Sequence, residues 1–196
     1  MANILVIKSS ILGDNSVSSA MADAFVATAT AKNPADSITV RDLGVHPLPH
    51  LRGDVLGQMR SNATELSAQA IEGKKALAEL LAADTLVLAV PMYNFSVPSA
   101  LKAWFDHVLH PGQTFEYTSA GPRGLLKGKK AIVLISSAGD YSAAPASGMD
   151  FVEPYVRTIM GFMGITDVTV VKADGAAMGE AGVAKKTAAF AAIAAL

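Results

Sequence analysis

Residues 87–95 read Val-Leu-Ala-Val-Pro-Met-Tyr-Asn-Phe, and this stretch decides the fold. With Leu86, its first half is an unbroken apolar run that stops at Pro91, the pattern of a parallel strand covered on both faces. Its second half places a thioether, a phenol, an amide and a phenyl ring in succession, and Pro98 opens the next element. Helix and strand interiors rarely need that mixture, whereas a flat, partly polar ring system does. Aromatic and thioether groups cover the face of such a ring, while loop backbone and the Asn94 amide reach its edge. A lid over the core is the plainer reading of Met92, Tyr93 and Phe95, but Asn94 between two aromatics is harder to explain as packing. In an open α/β sheet, the loop after a strand's carboxyl end is where ligands sit.

On either side of this stretch, short β-rich runs alternate with helical patterns. Ile4–Ile7, Ser37–Arg41, Thr85–Val90, Lys130–Ser136 and Val168–Lys172 read as strands, with Ser37–Arg41 at an edge. Helical spacing joins Val17, Met21, Ala24, Phe25 and Thr28, and again Leu66, Ala70, Leu77, Leu80 and Leu81, with Gly73 as a weak point. Leu101, Trp104, Phe105, Val108 and Leu109 form a third stripe, and Phe151–Met163 and Ala181–Leu196 complete the helices. Leu43–Leu51 reads as a loop, as does His110–Gly128, which carries Thr114-Phe115-Glu116-Tyr117-Thr118. A loop as long as His110–Gly128 in a compact domain is usually functional. The alternation predicts an α/β domain with a five-stranded parallel sheet of order 2-1-3-4-5 and helices on both faces. Its switch point lies between strands one and three, so a ligand should touch the loops after Ile7, Val90 and Ser136.

Composition narrows the function classes. Sixteen Lys plus Arg balance 17 Asp plus Glu, so neither a basic nucleic-acid patch nor a polyanionic tail is indicated. There is no cysteine, which excludes disulfides and thiolate chemistry. The opening apolar run, Ile4-Leu5-Val6-Ile7, is too short for a signal peptide or membrane span, so a soluble cytoplasmic protein without a membrane partner is expected. Pro47 and Pro49 break the spacing of His46 and His50, and His107 and His110 have no carboxylate cluster beside them, so no metal site is expected. There is no G-x-G-x-x-G after the first strand, no P-loop and no nucleophile elbow. A receiver domain needs carboxylates at the strand ends, and Lys8-Ser9-Ser10 and Pro91-Met92 stand there instead.

The first loop reads Lys8-Ser9-Ser10-Ile11-Leu12-Gly13-Asp14-Asn15-Ser16-Val17-Ser18-Ser19. Hydroxyls at a helix start add donors to free N–H groups and a partial positive charge, which suits a phosphate. Ser10, Ser16 and Ser18 are the candidates, with Asp14 turned to solvent; simple N-capping by Ser16 or Asn15 is the alternative. The loop Ser136-Ser137-Ala138-Gly139-Asp140-Tyr141 has small residues that admit a ligand close to the backbone, or it is an ordinary turn.

Taken together, these segments resemble the FMN-dependent NADH azoreductase and quinone reductase family of flavodoxin-like proteins. Residues 5–12, Ser16-Val17-Ser18, residues 39–43 and residues 89–95 carry the likeness. So do Leu101-Lys102, Phe105-Asp106, Thr114-Phe115, Tyr117-Thr118, residues 128–133 and residues 161–168. The resemblance spans nearly the whole chain and implies a single flavodoxin-like FMN-binding domain over residues 1–196. It implies a homodimer with FMN at the subunit interface, the phosphate at Ser10 and Ser16–Ser18, and the isoalloxazine against Met92, Tyr93, Asn94 and Phe95. Ser136, Ser137, Ala138 and Gly139 would meet the ring edge. Relatives often carry a second glycine in this last loop, a basic residue before the pair and a histidine shortly after. Here Ala138 and Tyr141 depart from that pattern, which bears on substrate preference and flavin tuning.

The implied reaction passes a hydride from NADH or NADPH to FMN, then two electrons to a quinone or azo compound at the same site. It needs no strong acid or base. Tyr93, Asn94 and Tyr141 are the candidate hydrogen-bond donors, and Phe115, Tyr117 and Phe162 the candidate substrate wall, some reaching the partner's site. A flavodoxin-type electron carrier and a nonredox flavin-binding protein are the rivals. Balanced charge and the aromatic loop argue against the carrier.

Overall fold

The computed structural model describes residues 1–62 and 64–196. Its strands are β1 (Asn3–Lys8), β2 (Ser37–Asp42), β3 (Thr85–Pro91), β4 (Phe115–Thr118), β5 (Gly121–Gly124), β6 (Lys130–Ser136) and β7 (Asp167–Ala173). Its helices are α1 (Val17–Lys32), α2 (Gly53–Arg60), α3 (Ala68–Ala82), α4 (Ser99–Val108), α5 (Val152–Met163) and α6 (Gly179–Ala195). The main sheet is parallel in the order β2-β1-β3-β6-β7, and β4 and β5 form a separate antiparallel hairpin. Counting the main sheet alone, this is the expected 2-1-3-4-5.

The apolar strands are explained by what covers them. Side chains alternate across a strand, so Leu5, Ile7, Leu86, Leu88, Val133 and Ile135 face α3, α4 and α5 through Leu80, Trp104, Phe105 and Met160. Ile4, Val6, Val87, Ala89 and Leu134 face α1 and α6 through Met21, Phe25, Ala189 and Ile193. Each large side chain buried this way stabilises the fold by about 1.5–3 kcal/mol. Among the described residues, no helix is long and apolar enough to cross a membrane.

The structure departs from the sequence expectation in three places. Pro91 is the last residue of β3, not the first beyond it, and pairs with Ser136. On the other side, β1 reaches only to Ala89, so the missing proline N–H leaves no ladder bond unmade. The expected loop 110–128 contains the β4–β5 hairpin, whose turn is held by Thr118 Oγ1 donating to the Gly121 carbonyl at 2.8 Å. The segment before α3 contains α2, a short helix with two glycines that is held by burial of Val55 and Met59 against Ala70.

Candidate active site

Three loops meet at the carboxyl rim of the sheet, after β1, β3 and β6. The first ends in α1. Ser16 has extended backbone, and its Oγ accepts from the Ser19 amide at 3.1 Å and lies 3.3 Å from Ser18 Oγ. Ser16 and Ser18 are buried. Capping therefore accounts for Ser16, but it leaves the first-turn amides of Val17 and Ser18 without intrahelical acceptors at the positive end of the helix. A cavity of about 340 Å³ adjoins this helix start, lined by Lys8, Ser10, Gly13, Ser16, Ser19 and Asp42 among others. Of the carboxylates around it, Asp23 is paired with Lys8 at 2.5 Å. Asp42 accepts from the Gly44 and Val45 amides at 2.8 and 3.3 Å. Asp14 also borders the cavity and is exposed. Gly44 packs so closely that a Cβ there would lie 1.9 Å from the Ser10 carbonyl oxygen, which fixes the cavity wall.

The second loop is strained. Tyr93 and Ser96 exchange backbone hydrogen bonds of 3.0 and 3.1 Å, closing a two-residue turn over Asn94 and Phe95. Both turn residues are left-handed, with φ of 48° and 70°. Asn tolerates that conformation, but the second position of such a turn usually takes glycine. Holding Phe95 there costs on the order of 1–2 kcal/mol. Strain of this kind concentrates at functional sites, and here it displays a phenyl ring that is 44% exposed. Met92, half-buried, donates its amide to the Ser136 carbonyl at 2.8 Å. The Tyr93 phenol lies 3.0 Å from Ser10 Oγ and accepts from the Ile11 amide at 3.2 Å. It thus ties the second loop to the first, and Ser10 Oγ also accepts from Leu12.

The third loop is held from behind. Ser136 is buried at the strand end, and Ser137 Oγ lies within hydrogen-bonding distance of Asp174 (2.9 Å) and of the Gly139 carbonyl (2.8 Å). The Gly175 and Ala176 amides donate to the carbonyls of Gly139 and Ser137. Ala138 is exposed. The Tyr141 ring lies against Gly139, where a Cβ would come within 3.3 Å of it, and meets Phe95 edge-on at 6.3 Å and 83°. Beside it, Lys185, together with the hydroxyl and amide of Ser142, holds the Asp140 carboxyl well below the usual carboxylate range.

The structure thus brings Ser10, Ser16, Val17, Ser18, Met92, Tyr93, Asn94, Phe95, Ser136, Ser137, Ala138, Gly139 and Tyr141 to one rim. The expected wall of Phe115, Tyr117 and Phe162 is a separate group. Phe115 is only 6% exposed and packs on Phe162 with centroids 4.5 Å apart, and Tyr117 stands out at 74%. Within one chain, then, Phe115 is core, and Phe162 is half-buried beneath the hairpin. Two further residues shape the rim without a sequence motif of their own. Ser9 is fully buried and donates to the Ala89 carbonyl at 2.8 Å, clamping the ends of β1 and β3. Phe151, exposed, donates its amide to the Phe95 carbonyl at 3.0 Å. Its one signal was an aromatic directly after a capping residue, Asp150.

The chain is similar to known proteins over nearly its whole length. A family model described as flavodoxin-like fold matches residues 2–196. The chain is 48% identical over 183 residues to the FMN-dependent NADH:quinone oxidoreductase 2 of Pseudomonas fluorescens (strain Pf0-1), covering 91% of this chain and 90% of that one. Among solved structures, an azoreductase from Bacillus anthracis (Sterne) superposes with a TM-score of 0.89 at 28% identity, over 100% of this chain and 98% of that one. An FMN-dependent NADH-azoreductase from Bacillus anthracis (Ames Ancestor) in complex with FMN superposes at 0.88 and 25% identity, over 100% and 97%. A strained aromatic turn facing a hydroxyl-rich helix start, on a chain this similar to those proteins, leads to one assignment: the chain belongs to the flavodoxin-like family of FMN-dependent NADH azoreductases and quinone reductases.

Proposed function

We propose that this protein is an FMN-dependent NADH:quinone oxidoreductase that also accepts azo compounds, running two half-reactions at one site on a single domain. The observation that carries the reading is the Asn94–Phe95 turn, left-handed at both residues and tied through the Tyr93 phenol to Ser10 beside the start of α1. The residues present fit the cofactor. The Val17 and Ser18 amides and the Ser16 and Ser18 hydroxyls are donors for a phosphate. Met92 and Phe95 offer the thioether and phenyl surface that covers a planar ring, and the small Ala138 and Gly139 leave backbone accessible at its edge. Bound FMN supplies two-electron transfer between NADH (or NADPH) and a quinone or azo compound. The chain's own work is to hold and orient. Tyr93 fixes the spacing of two loops, Asn94 presents its amide, and Ser137 with Asp174 keeps the third loop in place.

A homodimer is part of this reading. Tyr117, largely exposed on the hairpin, supports a contact in which the hairpin borders the partner's site. A cytoplasmic setting, where the nicotinamide donor is available, completes it.

Titration of the apo-protein with FMN tests the reading. Ser16→Asp places a carboxylate at the phosphate donors. At an effective dielectric of ~20, repulsion between unit charges ~4 Å apart is about 4 kcal/mol, so affinity should fall by at least about 100-fold. Ser67 caps α3 in the same way, its Oγ accepting from Ala70 at 3.3 Å, but it is exposed. Ser67→Asp should leave FMN affinity unchanged, since aspartate caps as well as serine. Double-reciprocal plots against NADH at several quinone concentrations should be parallel, and intersecting lines would rule out a single shared site.

A further inference from the structure

Beside the strained turn stand exposed apolar side chains that the flavin reading does not use. Phe151 is 58% exposed and Met149, two residues earlier, 43%. The Phe151 amide donates to the Phe95 carbonyl at 3.0 Å, so the two phenyl-bearing residues are joined at the backbone. Phe151 is not on a loose tip. On its N-terminal side, the Asp150 carboxylate accepts from the Val152 and Glu153 amides at 2.9 and 3.2 Å, closing the first turn of α5. Lys172, from β7, pairs with that carboxylate at 2.7 Å, and the Asp150 side chain is 8% exposed. On the far side of the turn, Tyr141 meets Phe95 edge-on. Phe151 itself belongs to none of the buried apolar clusters. An apolar ring that is rigidly placed yet left in water, next to two more exposed apolar side chains, is a surface arranged for contact.

We infer that Phe151 is a specificity-determining residue of the active site. With Met149 it extends the apolar wall begun by Phe95, and it favours planar electron acceptors that carry a second apolar ring over small or charged quinones. The inference rests on the oxidoreductase reading above and adds the acceptor class. A one-ring quinone finishes within reach of Phe95, whereas a fused second ring gains by lying on Phe151.

The test compares menadione with unsubstituted benzoquinone as acceptors, using the holoenzyme with Phe151→Ala, Phe151→Leu and, as an equally exposed control on α6, Val183→Ala. Val183 is 57% exposed. Phe151→Ala should raise the menadione KM about tenfold, the scale of one lost hydrophobic contact, with benzoquinone KM and FMN affinity changed by less than about twofold. Phe151→Leu should fall between, and Val183→Ala should change nothing. Equal losses on both quinones, or no loss on either, would overturn the inference. So would gel filtration in which Phe151→Ala alone becomes a smaller species, since Phe151 would then be a subunit contact. FMN titration of the parent protein comes first: failure to take up flavin would overturn the oxidoreductase reading itself, and this inference with it.

Discussion

Two aromatic groups on this molecule are built in opposite ways. Around the hairpin, Phe115 is buried, packs 4.5 Å from Phe162 and sits in an ordinary strand paired with β5. At the carboxyl rim, Phe95 is half out in solvent on a left-handed backbone, with Phe151 exposed beside it. Phe115 lowers the free energy of the fold by its burial. Phe95 costs the fold backbone strain that its partly buried ring only offsets, and it persists because Tyr93, Ser96, Tyr141 and Phe151 hold the turn. Aromatic character alone therefore does not mark the site. Aromatic character with backbone strain and exposure does.

Four substitutions or conditions separate the groups. The largest effect is expected from Phe115→Ala, which should lower unfolding stability by about 3 kcal/mol in a denaturant titration. The folded fraction should still bind FMN with unchanged affinity; weaker binding at intact stability would exchange the two groups' roles. Phe95→Gly should do the reverse. Relief of about 1–2 kcal/mol of left-handed strain offsets the lost ring contact, so stability should stay within about 1 kcal/mol. Steady-state kcat/KM for NADH, however, should fall about tenfold. Tyr117→Ala, at an exposed position, should change stability by less than about 0.5 kcal/mol. A quinone KM that rises severalfold in this variant would support a hairpin reaching the partner's site, and an unchanged KM would leave the hairpin out of it.

The smallest effect concerns acid. Burial pushes the Asp150 carboxyl up, but the Lys172 ammonium and the two helix amides outweigh it, so it lies below its ordinary 3.8. A carboxyl lowered by folding contributes stability above its unfolded value and loses it as pH falls through the folded value. Acid unfolding monitored below pH about 4 should therefore be less steep in Asp150→Asn than in the parent protein, with no difference near neutrality beyond a constant offset.

Much of this was legible in the sequence, for reasons of periodicity and composition. Strands such as Leu86–Val90 are apolar throughout because helices cover both faces. The three rim loops stood out because their residues suit neither helix nor strand. What was not legible depends on distance along the chain. The hairpin's second strand, Gly-Pro-Arg-Gly, lacks β-forming side chains and is defined by pairing with β4. The packing of Phe115 against Phe162 within one chain is a tertiary fact that its position in the sequence does not announce. The ties of the Tyr93 phenol to Ser10 and Ile11 join positions 83 and 82 residues apart, which no local pattern announces. The left-handed backbone of Phe95 has no residue signature, since glycine is what that position normally announces.

The most direct test of flavin-mediated transfer at the rim is to follow the two half-reactions separately. Purified protein reconstituted with FMN is mixed anaerobically with NADH alone, and then with a quinone alone, while flavin absorbance is recorded. The expected result is full bleaching by NADH in the absence of acceptor and full recovery on adding quinone. Phe95→Gly should slow the first phase about tenfold. Flavin absorbance that NADH leaves unchanged until quinone is also present, or a protein that retains no FMN, would contradict it.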